Sequence, residues 1–254
     1  MRNLLIFILL ALSSISATGR TIYVLSVGIS DYRYISDLQK TENDAREFSE
    51  LYMTHTKNVT TLLGSQATRE NILSSLRSCF AKAGADDIVV FFFSGHGDKG
   101  GLCAYDTKGR STLVTYAEVQ KAIGSCKAAN KQLFIDACYS GGLRDGKKTA
   151  RPATTARPPL SDTQGIMLFL SSRTGETSQE NRWADNGFFT QYLIKGLKGA
   201  ADTDSDRIIT AKEIFTYVSA KVSERTRKKQ NPVMWGKFND NMHILNWNPK
   251  RNTI

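Results

Sequence analysis

The segment Ile88-Val-Val-Phe-Phe-Phe-Ser-Gly-His-Gly97 decides the fold. Its apolar run, Ile88 to Phe93, shows no alternation, which is the pattern of a central parallel strand buried on both faces. The run ends in a histidine flanked by glycines, His96. A second segment, Leu133-Phe-Ile-Asp-Ala-Cys-Tyr-Ser-Gly-Gly142, has the same plan, with an apolar start leading to Cys138 and then small residues. Two parallel strands ending at one sheet edge bring His96 and Cys138 together, where open α/β sheets place their chemistry. A thiol becomes a good nucleophile near neutral pH when an imidazole takes its proton. Glycines beside both residues let main-chain N–H groups approach a substrate closely. His96 and Cys138 are therefore the candidate catalytic pair.

Strand-like and helix-like segments alternate around this pair. The patterns predict strands over 21–29, 58–63, 88–93, 133–135 and 166–170, and a last strand near 242–245. Helices are predicted over 41–53, 68–82, 115–123, 188–197 and 210–227, the third opened by a capping box of Thr115 and Glu118. The chain has 254 residues and is 41% hydrophobic, enough for one sizeable core. The expected architecture is one three-layer α/β unit. Residues 143–164 hold several bases and three prolines but few large apolar side chains, and read as an exposed linker.

Residues 1–17 stand apart. Arg2 precedes an unbroken apolar run from Leu4 to Leu12, and small residues follow as far as Ala17. This is the pattern of a secretory signal peptide, with a run too short for an ordinary transmembrane helix. The expectation is an exported protein, periplasmic or secreted, with no stable membrane span after cleavage. Cys79, Cys103, Cys126 and Cys138 would meet an oxidising compartment, and their spacing matches neither CxxC nor a zinc site. The net charge of +10 is spread along the chain, with one dense run at Arg225–Lys229 that reads as a solvated face. No basic motif interleaved with aromatics is present, so a nucleic-acid partner is not expected.

The ordered set of motifs resembles the caspase-like cysteine peptidases, in particular the metacaspases and their bacterial relatives. Tyr23-Val-Leu-Ser-Val-Gly-Ile29, Glu42-Asn-Asp-Ala45, Ser94-Gly-His-Gly97 and Asp136-Ala-Cys-Tyr-Ser-Gly141 carry the resemblance, which spans residues 21–245. It implies a six-stranded, mostly parallel sheet with helices on both faces. It also implies a division into a large-subunit-like part (20–142), a flexible linker (143–164) and a small-subunit-like part (165–250). His96 is then the general base, Cys138 the nucleophile, and the N–H groups of Gly97 and Cys138 the oxyanion hole.

In the same resemblance, Asp44 and Asp136 line the pocket for the side chain just before the scissile bond. Two carboxylates in a confined pocket favour a cation, so cleavage after Arg or Lys is expected, and not cleavage after Asp. In the linker, Arg144, Lys147 and Lys148 are the candidates for zymogen-like self-cleavage. Pro152 and Pro158 disfavour the bonds after Arg151 and Arg157, and a plain solvated loop is the alternative. Two departures stand out. Tyr139 occupies a position where the family commonly has His, and no acidic cluster of the kind that binds activating calcium follows Asp106.

A second acidic motif, Asp202-Thr-Asp-Ser-Asp206, reads with Glu213 as a twelve-residue calcium loop. Its candidate ligands are Asp202, Asp204, Asp206 and Glu213. Arg207 stands where such a loop wants glycine, and Thr210 with Glu213 also makes an ordinary capping box. Asp44 has a plain reading too, as the third residue of a helix capped by Thr41. The leading function is an exported cysteine endopeptidase, a hydrolase acting on protein or peptide substrates with basic residues. It requires no cofactor, and calcium is an option. The alternatives are a catalytically silent caspase-fold binding or scaffold protein and a calcium-binding module. The sequence specifies no oligomeric state.

Overall fold

The structure, a computed structural model, describes residues 20–98, 100–138, 164–172 and 186–247, with Cys138 described by its main chain. The expected signal peptide, Tyr139 and the cleavage candidates Arg144, Lys147 and Lys148 lie outside the described residues. The strands and helices run β1 (Ile22–Gly28), α1 (Thr41–Met53), β2 (Val59–Leu63), α2 (Arg69–Phe80), β3 (Ile88–Asp98), β4 (Gly101–Leu102) and β5 (Val114–Thr115). They continue with α3 (Tyr116–Gly124), β6 (Asn130–Cys138), β7 (Ile166–Leu170), α4 (Phe188–Lys195), β8 (Ile208–Thr210), α5 (Ala211–Arg225), β9 (Val233–Gly236) and β10 (His243–Asn246).

The main sheet follows the order β2-β1-β3-β6-β7-β9. All its neighbours are parallel except β9, which runs antiparallel to β7. The central strand explains the layers. Val89, Phe91 and Phe93 of β3 join the core under α2 and α3, while Ile88, Val90 and Phe92 join the core under α1, α4 and α5. Phe92 stacks on Phe48 of α1 with centroids 4.3 Å apart, and Phe134 of β6 packs against the same ring. The two-residue period of a strand carries this face onward to Ser94 and Asp136. Both polar side chains are thereby aimed at the layer of α1 and α4.

Helix starts follow local chemistry. Thr68, Thr115 and Thr210 cap α2, α3 and α5, their hydroxyls accepting from the N–H of Asn71, Glu118 and Glu213. α1 departs from the expected cap. Thr41 is its first residue, and its hydroxyl donates to the Ile29 carbonyl at 2.6 Å, tying the helix start to the end of β1.

The expected final strand forms, but outside the main sheet. β10 pairs with β8 in a separate antiparallel ribbon, and the sixth strand of the main sheet is β9. Ile209, Ile244 and Leu245 are buried under α4 and α5, so this ribbon satisfies its apolar residues in the helical layer. Among the described residues no helix is long and apolar enough to cross a membrane. Cys79, Cys103 and Cys126 are free thiols.

Candidate active site

In the β3–β6 ladder Ser94 stands opposite Asp136, Gly95 opposite Ala137, and His96 opposite Cys138. The candidate catalytic residues are therefore direct neighbours on adjacent strands, whose spacing is about 4.8 Å. The two sequence segments meet at one sheet edge, as their shared plan predicts.

His96 is half-buried, with Nε2 2.9 Å from the Ser36 carbonyl oxygen. A carbonyl can only accept, so Nε2 carries the hydrogen and Nδ1 holds the lone pair. Burial lowers the imidazole below its ordinary value of 6.5, while the Ser36 carbonyl and the Asp37 charge act in the opposite direction. The ring is thus neutral at neutral pH and basic at Nδ1, as a general base must be.

Tyr32 steadies the main chain of the same residue. Its Oη accepts from the His96 N–H at 2.8 Å, and its ring lies 5.0 Å from the imidazole. The phenol crosses directly over Gly95, where a Cβ would stand 2.6 Å from Oη, so this close approach requires glycine. Burial holds the phenol well above its usual range and keeps it neutral. Asp37 in turn accepts from the Tyr32 N–H at 2.8 Å. The motifs pointed to His96 but to none of these supports. Ser36, Tyr32 and Asp37 sit in the irregular stretch between β1 and α1, where no period marks them, and a main-chain carbonyl has no residue-type signature.

Gly97 lies opposite Leu102 of β4, and the Cys103 N–H donates to the His96 carbonyl at 2.9 Å. The short β4 pairing therefore stiffens the main chain at the expected oxyanion donor. Cys103 itself is fully buried, and burial together with the Asp98 charge pushes its thiol up to about 12, which makes it a packing residue.

Asp44 and Asp136 converge on the α1/α4 side of the sheet. Asp44 accepts from Ser94 Oγ at 2.8 Å and from the Gly187 N–H at 3.1 Å, and Asp136 accepts from Thr190 Oγ1 at 2.9 Å. Their residues are only 2% and 6% exposed. Burial first, and the Asp136 charge next, hold Asp44 well above the ordinary carboxylate range, against the pull of its two neutral donors. The Asp44 carboxylate thus reaches across to β3 and α4 instead of capping its own helix. Beside it, Asn186 donates to Glu47 at 2.5 Å and accepts from Asn43 at 2.8 Å.

The 202–213 loop forms a separate acidic cluster. Asp202, Asp204 and Asp206 bring carboxylate oxygens within 4.8 Å of one another. Asp202 accepts from the N–H groups of Ser205 and Arg207 and from the Trp247 indole, Asp204 from Asp206, and Asp206 from Ile208. Arg207 adopts a left-handed φ of 71°, the conformation a calcium loop asks of its glycine. Glu213 stands outside the cluster, its carboxylate accepting from Thr203 and Thr210.

Two outcomes follow from this geometry. Tyr32→Phe leaves the half-buried His96 N–H without its acceptor, which costs about 1 kcal/mol. Thermal unfolding should show that loss, and kinetics should show a lower kcat with KM little changed. Asp44 is raised above its unfolded value, so its contribution to stability is full below about pH 3.9 and is lost as pH rises through the folded value. Asp44→Asn should therefore raise the melting temperature at pH 7 and leave it nearly unchanged at pH 3.5.

The arrangement has relatives. The family model described as the caspase domain matches residues 22–243. Among solved structures, the protein GSU0716 from Geobacter sulfurreducens is similar with a TM-score of 0.66 and 18% identity, over 89% of this chain and 98% of that one. Caspase-1 from Spodoptera frugiperda is similar with a TM-score of 0.63 and 18% identity, over 86% of this chain and 87% of that one. A search of curated proteins gives no match. The two structural likenesses speak for the fold alone. The family match is the stronger finding, since it runs from β1 to the first residue of β10: the chain belongs to the caspase-domain family of cysteine peptidases.

Proposed function

We propose that the protein is an exported cysteine endopeptidase that cleaves after Arg or Lys, with His96 and Cys138 as its catalytic pair. One observation carries this reading: a buried pair of carboxylates, Asp44 and Asp136, lies beside the strand ends that hold the pair. The donors to Asp44 from Ser94 and Gly187 are neutral, and the charges of Asp136 and Glu47 near it are negative. A substrate cation supplies the charge of opposite sign, and a guanidinium can bridge both acids through paired N–H groups.

His96 Nδ1 takes the proton from the Cys138 thiol. The thiolate adds to the carbonyl carbon of the scissile bond, and the carbonyl electron pair moves onto oxygen, where the N–H groups of Gly97 and Cys138 stabilise it. The imidazolium, held through Nε2–H by the Ser36 carbonyl, then protonates the departing amine as the C–N bond breaks. A water that gives its proton to His96 releases the acyl group and restores the thiol. Cleavage after Arg144, Lys147 or Lys148 belongs to the same specificity, and residues 1–17 direct export.

The test uses fluorogenic peptides ending in Arg, Lys or Asp. Arg and Lys peptides should be cut and Asp peptides left intact. Cys138→Ala should abolish turnover and remain one chain on a denaturing gel, where the wild type is nicked within residues 143–164. Asp136→Asn should lower kcat/KM on basic peptides by about 10–100-fold, the value of a charged hydrogen bond. Cutting after Asp would keep the catalytic pair and overturn the pocket. No cutting, even after trypsin has nicked the linker, would favour the silent binding protein.

A second reading attaches calcium to the 202–213 loop, favoured by its three converging carboxylates and the left-handed Arg207. The Arg207 cation opposes a bound ion in that loop. In calorimetric titration Asp204→Ala should lose calcium binding, and Arg207→Gly should tighten it about ten-fold, or ~1.4 kcal/mol. Equal heats in all three proteins would remove the site.

A further inference from the structure

Gly187, the residue just before α4, has a backbone of φ −61° and ψ 154°, which any L-residue adopts. No left-handed turn requires glycine there, and the one constraint is space. An ideal Cβ on Gly187 would meet two atoms within 4 Å, Asp136 Oδ2 at 3.3 Å and Asp44 Oδ2 at 3.7 Å. Those atoms belong to the two acids of the proposed cation pocket. A side chain at position 187 therefore starts out beside both carboxylates.

The position is held in place from several sides. The Gly187 N–H donates to Asp44 at 3.1 Å, and its carbonyl accepts from the Gln191 N–H at 2.9 Å as the helix begins. Its neighbour Asn186 is 5% exposed and is pinned to α1 through Glu47 and Asn43. Asn43 also donates to Glu47 at 3.2 Å, so the pin is a closed triangle of side chains. These hydrogen bonds oppose a displacement of residue 187 away from the acids.

We propose that Gly187 is the specificity-determining wall of the cation pocket, leaving by its missing side chain the width that a guanidinium needs to bridge Asp44 and Asp136. The proposal rests on the reading of these two acids as the pocket for Arg or Lys. A guanidinium is flat and broad, whereas an ammonium is compact. A methyl group 3.3 Å from Asp136 Oδ2 takes space from the first before the second. Wild-type protein thus favours Arg over Lys, and a side chain at 187 reverses or erases that order. Any replacement other than proline keeps the N–H that donates to Asp44, so the acid keeps its donor.

The experiment measures kcat/KM on matched Arg and Lys peptides for wild type, Gly187→Ala and Gly187→Val. Melting temperature and the rate of Cys138 alkylation by iodoacetamide report on fold and thiol in each protein. Gly187→Ala should lower the Arg-to-Lys ratio at least ten-fold. Gly187→Val should cut neither peptide while its thiol is alkylated at the wild-type rate. If the wild type cuts basic peptides and the ratio is unchanged in Gly187→Ala, the proposal is overturned while the pocket reading stands. If the wild type cuts only after Asp, the pocket reading falls and the proposal falls with it. Gly187→Ala carries the comparison if the valine variant fails to fold.

Discussion

The register between β3 and β6 is the constraint on which the rest of the molecule depends. It runs from Ile88 opposite Asn130 to His96 opposite Cys138, and it aligns Ser94 with Asp136 on the way. Both strands are buried on both sides, so alternation of polar and apolar residues cannot set this alignment. Two different apolar cores set it instead. Phe92 and Phe134 must meet Phe48 on one face, while Phe91, Phe93 and Leu133 fill the other. A slip by one residue would exchange those faces and carry Asp136 away from α4. Core packing and the alignment of the candidate active site are therefore one requirement.

The acid pair shows what that requirement costs. Burying two carboxylates side by side opposes folding unless hydrogen bonds and charge repay the lost hydration. Ser94 and the Gly187 N–H supply hydrogen bonds to Asp44, but both are neutral, and the Asp136 charge still raises that acid. Stability is thus given up at the point where the proposed function places a charged substrate group, a common relation between binding sites and their scaffolds. The imidazole obeys the same logic with opposite sign, since burial favours its uncharged form, the one the proposed general base starts from.

Much of this was legible in the amino-acid order, for physical reasons that differ by element. β1, β3 and β7 are long apolar runs, and α1, α2 and α5 are long enough to repeat a face, so their patterns stand above noise. β4, β5 and β8 have two or three residues, too few for any period to register. β10 was visible as a strand, but its partner was not, because nothing in its own residues distinguishes the main sheet from a ribbon under α4 and α5. In the site, His96 and Asp44 lie within recognisable motifs. Their supports do not: Tyr32 works through a hydroxyl set over Gly95, and Asn186 joins α1 only once the chain is folded.

The partner of His96 Nε2 is a main-chain oxygen, that of Ser36. No single codon therefore encodes the group that orients the base, and almost any side chain at position 36 presents the same carbonyl. A scan that replaces side chains one at a time would pass over it. What can remove it is a change in the path of the chain between β1 and α1, through an insertion, a deletion or a proline that bends the loop. The orientation of His96 is consequently buffered against most side-chain replacements at position 36 and exposed to changes in the path of the loop, the reverse of a histidine oriented by a carboxylate side chain.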